Sequence, residues 1–190
     1  HGVDVRVLIV DDCSTDDSEA VGRGLAAADR RVTYVRHETN RGHIATYNEG
    51  LLEWAEADYC LLLSADDLLA TGALSSATRL MESTPRVVMT CGAALLFAHD
   101  EQLANHRRST DGANDRAIDE AYALVDSKAF LRACLRGNPV ATPTAVVRTT
   151  AQRAVGGYDL RLPHTADMHM WARLALRGTV GVFRAVQAYK

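Results

Sequence analysis

The stretch Val5-Arg6-Val7-Leu8-Ile9-Val10-Asp11-Asp12 sets the reading of this chain. Its first six residues form a β-branched, nearly continuous apolar run, as expected of a strand covered on both faces. Two carboxylates follow, and Ser14-Thr15-Asp16-Asp17 then reads as a capping box, with Ser14 as N-cap of a helix to about Ala28. The same alternation repeats outward. Val32–Arg36 is a second strand, the turn Asn40-Arg41-Gly42-His43 follows, and Ile44, Tyr47, Leu51 and Ala55 give the next helix an apolar stripe. Tyr59–Ser64 is a third strand. Leu74, Ala77, Thr78 and Met81 mark another helix face, Pro85 ends that helix, and Val87–Cys91 begins a further strand. Strands alternating with helices imply βαβ units, so the fold class is α/β with a mainly parallel sheet flanked by helices.

The pattern fails from about His99 to Asp119, a polar stretch that reads as a mobile surface excursion. It returns with a helix near Asp126–Arg136, a strand at Thr144–Arg148, a turn at Gly156-Gly157 and a last helix from about Thr165. With no internal repeat, residues 1–190 are expected to form one domain.

A chain of 190 residues, 47% hydrophobic and 24% charged, has the composition of one globular domain. At this length roughly 70% of the unfolded surface is buried on folding, without help from disulfides or structural metal. A formal charge of −3 argues against a broad nucleic-acid-binding surface. The basic residues are 19 Arg and 2 Lys, a bias expected of a GC-rich bacterial genome. Cys13, Cys60, Cys91 and Cys134 form no CxxC pair, which points to reduced thiols in a cytoplasmic protein. The apolar stretch Val87–Ala98 is too short to span a bilayer, and no signal peptide opens the chain. His1 is no initiator residue, so the natural chain is expected to begin earlier.

Two early strands end in adjacent aspartates, Asp11-Asp12 and Asp66-Asp67. In parallel α/β sheets ligands bind beyond the carboxyl ends of the strands, so both pairs are expected at one rim together with the Asn40–His43 turn. Carboxylates gathered there repel one another unless something positive sits among them, most simply a divalent cation. Aspartates also favour turns and caps, and Asp16 and Asp17 read as first-turn dipole partners only. With Thr165 as N-cap, Asp167 falls in the first turn of the last helix, on the face of Met170, Trp171 and Leu174. It is either satisfied by local N–H groups or aimed into a cleft. His164-x-x-Asp167-x-His169 matches no standard zinc spacing, and His169 is expected to point away from Asp167.

These residues resemble the inverting family 2 glycosyltransferases. The carrying segments are Val7–Ser18, Asn40-Arg41-Gly42 with Ala45 and Asn48-Glu49-Gly50, Leu63–Leu68, Gly156–Asp159, and Ala166-Asp167 with Trp171 and Arg173. The resemblance implies the GT-A fold, a Rossmann-like sheet between helices. It divides the chain into a nucleotide-sugar-binding half, 1–98, and an acceptor-binding half, 99–190. Asp12 is implied to bind the nucleotide base, with Asp11 shaping the turn, and Asn40-Arg41-Gly42 and Asn48 frame the donor. Asp66-Asp67 is similar to the family's DXD motif, Asp67 holding Mn²⁺ or Mg²⁺ against the diphosphate and Asp66 contacting ribose or sugar. Asp167 matches the base that deprotonates an acceptor hydroxyl for in-line attack on the anomeric carbon, with inversion. The implied partners are a nucleoside-diphosphate sugar and a hydroxyl acceptor, reached in the cytoplasm or at the membrane periphery.

Family members usually carry Glu or Gly where Ala166 stands and often Arg where Tyr47 stands, leaving Arg41 as the replacement phosphate contact. They also open with a strand and helix that would precede this chain, so the strands at Val5–Val10 and Tyr59–Ser64 are expected not to pair directly. A catalytically silent sugar-nucleotide-binding domain is the alternative. Leu8–Asp12 also resembles the first strand of response-regulator receiver domains, interaction modules that hold Mg²⁺ with Asp pairs. That reading requires a late Lys-Pro pair, whereas the only interior lysine, Lys128, is followed by Ala129.

Overall fold

The computed structural model describes residues 2–99, 101–108 and 122–190. The order is β1 (Val7–Asp11), α1 (Ser18–Ala28), β2 (Val32–Arg36) and α2 (His43–Asn48), which runs on as a π-helical turn, Glu49–Trp54. Next come β3 (Tyr59–Leu61), β4 (Leu68–Leu69), α3 (Ala73–Ser83), β5 (Val87–Leu95) and α4 (101–108). The chain continues with β6 (Tyr122–Val125), α5 (Ser127–Cys134), a 3₁₀ turn at Thr142–Thr144, β7 (Val146–Arg148), α6 (Thr149–Val155), α7 (Ala166–Ala175) and β8 (Thr179–Tyr189).

β1 and β2 pair in parallel, Val7 opposite Val32 and Asp11 opposite Arg36. A second sheet runs β3-β7-β5-β8-β4, with β6 also pairing with β8. It carries a core on each face, through alternation at Val146 and Val147 and through an irregularity of β5 between Val87 and Met89. Val146 and Val87 pack against Ala77, Leu80 and Met81 of α3. Val147 and Met89 join Ile44 and Leu51 from the α2–π segment, Ala151 from α6, and Met170, Trp171 and Leu174 from α7. The expected α/β class, a sheet enclosed by helices, is thereby present.

Strand direction is more mixed than the pattern implied. β1–β2 and β5–β8 are parallel, while the other pairs among the described residues, β3–β7, β5–β7, β4–β8 and β6–β8, are antiparallel. A strand apolar on both faces carries no mark of its direction, so periodicity alone could not tell these apart. β1 is half-buried rather than enclosed, because β2 is its one pairing partner among the described residues. β1 and β3 do not pair with each other. β3 ends at Leu61 instead of Ser64, where the chain leaves the sheet for a turn closed by the Asp67 N–H on the Ser64 carbonyl.

Ser14 does not cap α1. Its N–H is taken by Asp11 and its carbonyl by Arg36, closing a turn through Cys13 at φ +66°. The helix therefore starts at Ser18, with Asp17 in the cap position. Within the expected excursion 99–119, residues 101–108 are helical, and 100 and 109–119 lie outside the described residues.

Candidate active site

The end of β1 is neutralised by the protein itself. Asp11, the last residue of the strand, accepts the Ser14 N–H, the Tyr34 hydroxyl and the Arg36 guanidinium, each at 2.7 Å. The Tyr34 bond foremost, then Ser14 and Arg36, holds its carboxyl well below the usual carboxylate range. Asp12 Oδ1 accepts the Arg41 N–H at 2.8 Å and faces His37 Nδ1 at 2.7 Å, and its Oδ2 accepts the Gly42 N–H at 2.8 Å. Burial pushes the Asp12 carboxyl up, but these partners outweigh it and lower it. His37 Nε2 faces Glu49 Oε2 at 2.9 Å, and the same oxygen accepts from the Arg41 guanidinium at 3.0 Å. Asp12 thus fixes the turn at Gly42, whose φ of +83° suits glycine, and that turn launches α2.

Asn48, where α2 becomes π-helical, clamps the other half of the chain. Its Oδ1 accepts the Tyr158 N–H and its Nδ2 donates to the Tyr158 carbonyl, both at 2.8 Å. Gly157, at φ +72°, leaves the room, since a Cβ there would collide with Asn48 Oδ1.

Beside these features lies a cleft of about 230 Å³ lined by His43, Tyr47, Asp67, Tyr158, His164, Asp167 and Lys190, among others. It unites Asp67 and Asp167. Asp11, Asp12, Arg41, Asn48 and Asp66 are not among its lining residues; Asp12 and Asn48 hold the segments that carry the lining residues His43 and Tyr158, Asp11 holds the turn at Ser14, and Asp66 is exposed next to Asp67. Asp67 is buried, and among the described residues its carboxylate accepts no hydrogen bond. Burial, then the charge of Asp66, pushes its carboxyl above the ordinary value, against a smaller pull from Lys190.

Asp167 is held differently. Oδ2 accepts the Asn138 side-chain N–H at 2.6 Å and Oδ1 the Met168 N–H at 2.7 Å. Asn138 is itself fixed, its Oδ1 accepting the Val140 N–H at 3.1 Å. Thr165 occupies the N-cap position without making a cap bond, so Asp167 serves its own helix start and lines the cleft as well. Tyr158 packs against Tyr47 and Trp171, and its hydroxyl is buried without a partner among the described residues. Burial and the nearby Asp167 charge push that hydroxyl far upward, keeping it a neutral donor. His164, which precedes α7, lines the cleft, while His169 lines a separate groove, away from Asp167 as the helical spacing implies.

Among the described residues no three potential ligands gather into a metal cluster. The donor set still fits a cation of the Mg²⁺ or Mn²⁺ kind, which takes one or two carboxylates and completes its shell with phosphate oxygens and water. Asp67, buried and unneutralised, is the residue that fits. The Asp11-Asp12 pair, already supplied with donors, is not.

The model of the family described as glycosyl transferase family 2 matches residues 2–136. The chain belongs to that family. An uncharacterised glycosyltransferase of Haemophilus influenzae is 34% identical to this family 2 chain over 88 residues, 46% of the chain and 34% of the relative. An uncharacterised protein of Mycobacterium tuberculosis, MT1568, is 28% identical over 186 residues, 95% of the chain and 56% of that protein. Among solved structures, residues 1–349 of S. aureus TarS, in complex with UDP, match with TM-score 0.72 at 17% identity, over 97% of this chain and 50% of that one. The mannosyltransferase PcManGT of Pyrobaculum calidifontis, in complex with GDP-Man and Mn²⁺, matches with TM-score 0.61 at 18% identity, over 97% and 47%. These likenesses show the fold, the expected GT-A arrangement. The family 2 chain spans between a third and just over half the length of these two relatives. Membership also closes the receiver reading, and Lys128 lies exposed in α5 rather than at a strand end.

Sequence reasoning missed His37, Asn138 and Lys190, and it gave no role to Glu49 or Tyr158, which lie within the segments that carry the resemblance. His37 directly follows β2, which was a usable signal for a residue at the strand rim. Asn138 had none, because it meets Asp167 across 29 positions of chain.

Proposed function

We propose that this chain transfers a sugar from a nucleoside-diphosphate donor to an acceptor hydroxyl, with inversion at the anomeric carbon. The observation that carries the proposal is the meeting of Asp67 and Asp167 in one cleft, the first uncompensated and the second oriented by Asn138. The UDP of TarS and the GDP-Man and Mn²⁺ of PcManGT support a donor of this class and a metal requirement.

Asp67 would hold Mn²⁺ or Mg²⁺, which when bound offsets the charge of the departing diphosphate. Asp66, exposed beside it, is available to ribose or sugar hydroxyls. Asp167 takes the acceptor proton as the hydroxyl attacks, and Asn138 keeps its carboxylate in one orientation for that transfer. Ala166 precedes this base and offers no second carboxylate to share the task. Asp11 and Asp12 serve the donor by fixing the turns at Ser14 and Gly42. Arg41 and Asn48 extend that frame, Arg41 as a cation for a phosphate and Asn48 by tying the halves together. The four cysteines are free thiols, which supports a reducing, cytoplasmic setting. No helix among the described residues is long and apolar enough to cross a membrane.

Calorimetry with UDP and GDP, with and without Mn²⁺, tests the reading. Binding that needs the metal and disappears in Asp67→Ala is expected. A variant that binds as tightly as the parent would remove the metal assignment. Metal-dependent binding without turnover on any acceptor would favour the silent sugar-nucleotide-binding domain instead.

A further inference from the structure

On the far side of the first turn of α7 lies a second depression, a groove of about 750 Å³ between α5 and α7. One face of each helix builds it. Lys128, Leu131, Arg132 and Leu135 follow helical spacing along α5 and its C-cap, and Met168, Ala172 and Leu176 do so along α7. Leu135 is 87% exposed and Leu176 65%, so apolar side chains stand open to solvent at the groove.

Two of the lining residues, Lys128 and Arg132, are basic, and Arg136 follows at the same spacing of four just past the C-cap; all three are exposed, and none forms an ion pair among the described residues. Residues 127–137 contain no acid at all, in a chain whose net charge is −3. Of the carboxylates that start the two helices, Asp126 accepts the Ala129 N–H and Asp167 is bound to Asn138 beside the cleft. An apolar seam flanked by cations on a surface helix is suited to the boundary between acyl chains and anionic headgroups. A second copy of this chain is a poor occupant, because a two-fold contact would set the same cations against one another.

We infer that the α5–α7 groove docks the protein on a bilayer containing anionic phospholipid, with leucines entering the acyl boundary and Lys128, Arg132 and Arg136 meeting the phosphates. The groove begins at Thr165 and Met168, which bracket Ala166 and Asp167 of the cleft. Docking therefore brings the bilayer beside the cleft. The inference goes beyond sugar transfer and does not depend on it.

Co-sedimentation with vesicles of phosphatidylglycerol mixed into phosphatidylcholine, against phosphatidylcholine alone, tests it. The chain is expected to sediment with the anionic vesicles only, and less so as salt rises. Lys128→Gln with Arg132→Gln is expected to weaken binding roughly fivefold per neutralised side chain. Leu135→Ser with Leu176→Ser is expected to weaken it without lowering Tm, since both side chains are exposed. Absence of binding by the parent overturns the inference, as does undiminished binding by both variants. Elution of the parent as a dimer that Leu135→Ser returns to monomer would also overturn it, assigning the groove to a second copy.

Discussion

Asp167 accepts a hydrogen bond at each oxygen, from Asn138 and from the Met168 N–H, and so faces the cleft in one orientation. Asp167→Asn keeps an acceptor for Met168 but cannot take a proton. In an active preparation its turnover is expected to fall by about 10²–10⁴-fold, with nucleotide affinity and Tm little changed. Retained turnover would make Asp167 a helix-start residue only. Asn138→Ala removes the orienting bond alone, so kcat is expected to fall by less while the donor KM holds. Asp67 carries the opposite electrostatics. Burial and Asp66 raise its folded pKa, so its contribution favours the fold at low pH and is lost as pH rises through that value. At neutral pH in chelator, Asp67→Asn is therefore expected to raise Tm, and to abolish any metal-dependent shift by nucleoside diphosphate. A lower Tm in thermal denaturation would show that the carboxylate is satisfied after all.

Among the elements, the turn between β1 and α1 hangs on Asp11. Its folded pKa is depressed, so its stabilisation is present above the ordinary carboxylate value and fades as pH falls through the depressed one. Asp11→Asn is expected to cost about 1–3 kcal/mol at neutral pH, a difference that narrows in acid, as urea unfolding at the two pH values would record. The joint between the π-helical turn and the loop after α6 hangs on Asn48. Asn48→Ala deletes both bonds to the Tyr158 backbone and is expected to cost about 1–3 kcal/mol. Gly157→Ala meets Asn48 Oδ1 and a positive φ together. Combined with Asn48→Ala, its cost is expected to shrink, because the collision with Asn48 goes while the positive φ and the 3.0 Å approach to Leu52 remain. Strictly additive costs in a double-mutant cycle would show that Asn48 and Gly157 do not meet.

Across the full chain, the proposed halves 1–98 and 99–190 share one core. Ile44, Leu51 and Met89 from the first pack with Val147, Met170 and Trp171 from the second. β7 inserts between β3 and β5, so neither half owns the larger sheet. Unfolding in urea is expected to be a single transition, with coincident midpoints by tryptophan emission and far-UV circular dichroism. Two separated midpoints would show halves that fold independently.

Local sequence was enough for the alternation of elements, the end of α3 near Pro85 and the carboxylates worth watching. Apolar periodicity and turn chemistry act over a few residues and need no distant partner. Local reading misplaced the start of α1, because Ser14 is held by Asp11 and Arg36, and the latter bond spans 22 positions. Read from the residues alone, Asp11-Asp12 and Asp66-Asp67 gather at one rim in need of a cation, and only the family resemblance gave the metal to Asp67 and the base and the turn to Asp12 and Asp11. The folded chain separates them: Tyr34, Arg36, His37 and the Gly42 turn already answer the first pair, while Asp67 is buried without a donor among the described residues. Strand direction and the link from Asn138 to Asp167 were likewise decided in three dimensions. Each depends on which distant groups meet, and a carboxylate's role is set by the charges and donors around it rather than by its neighbours in the chain.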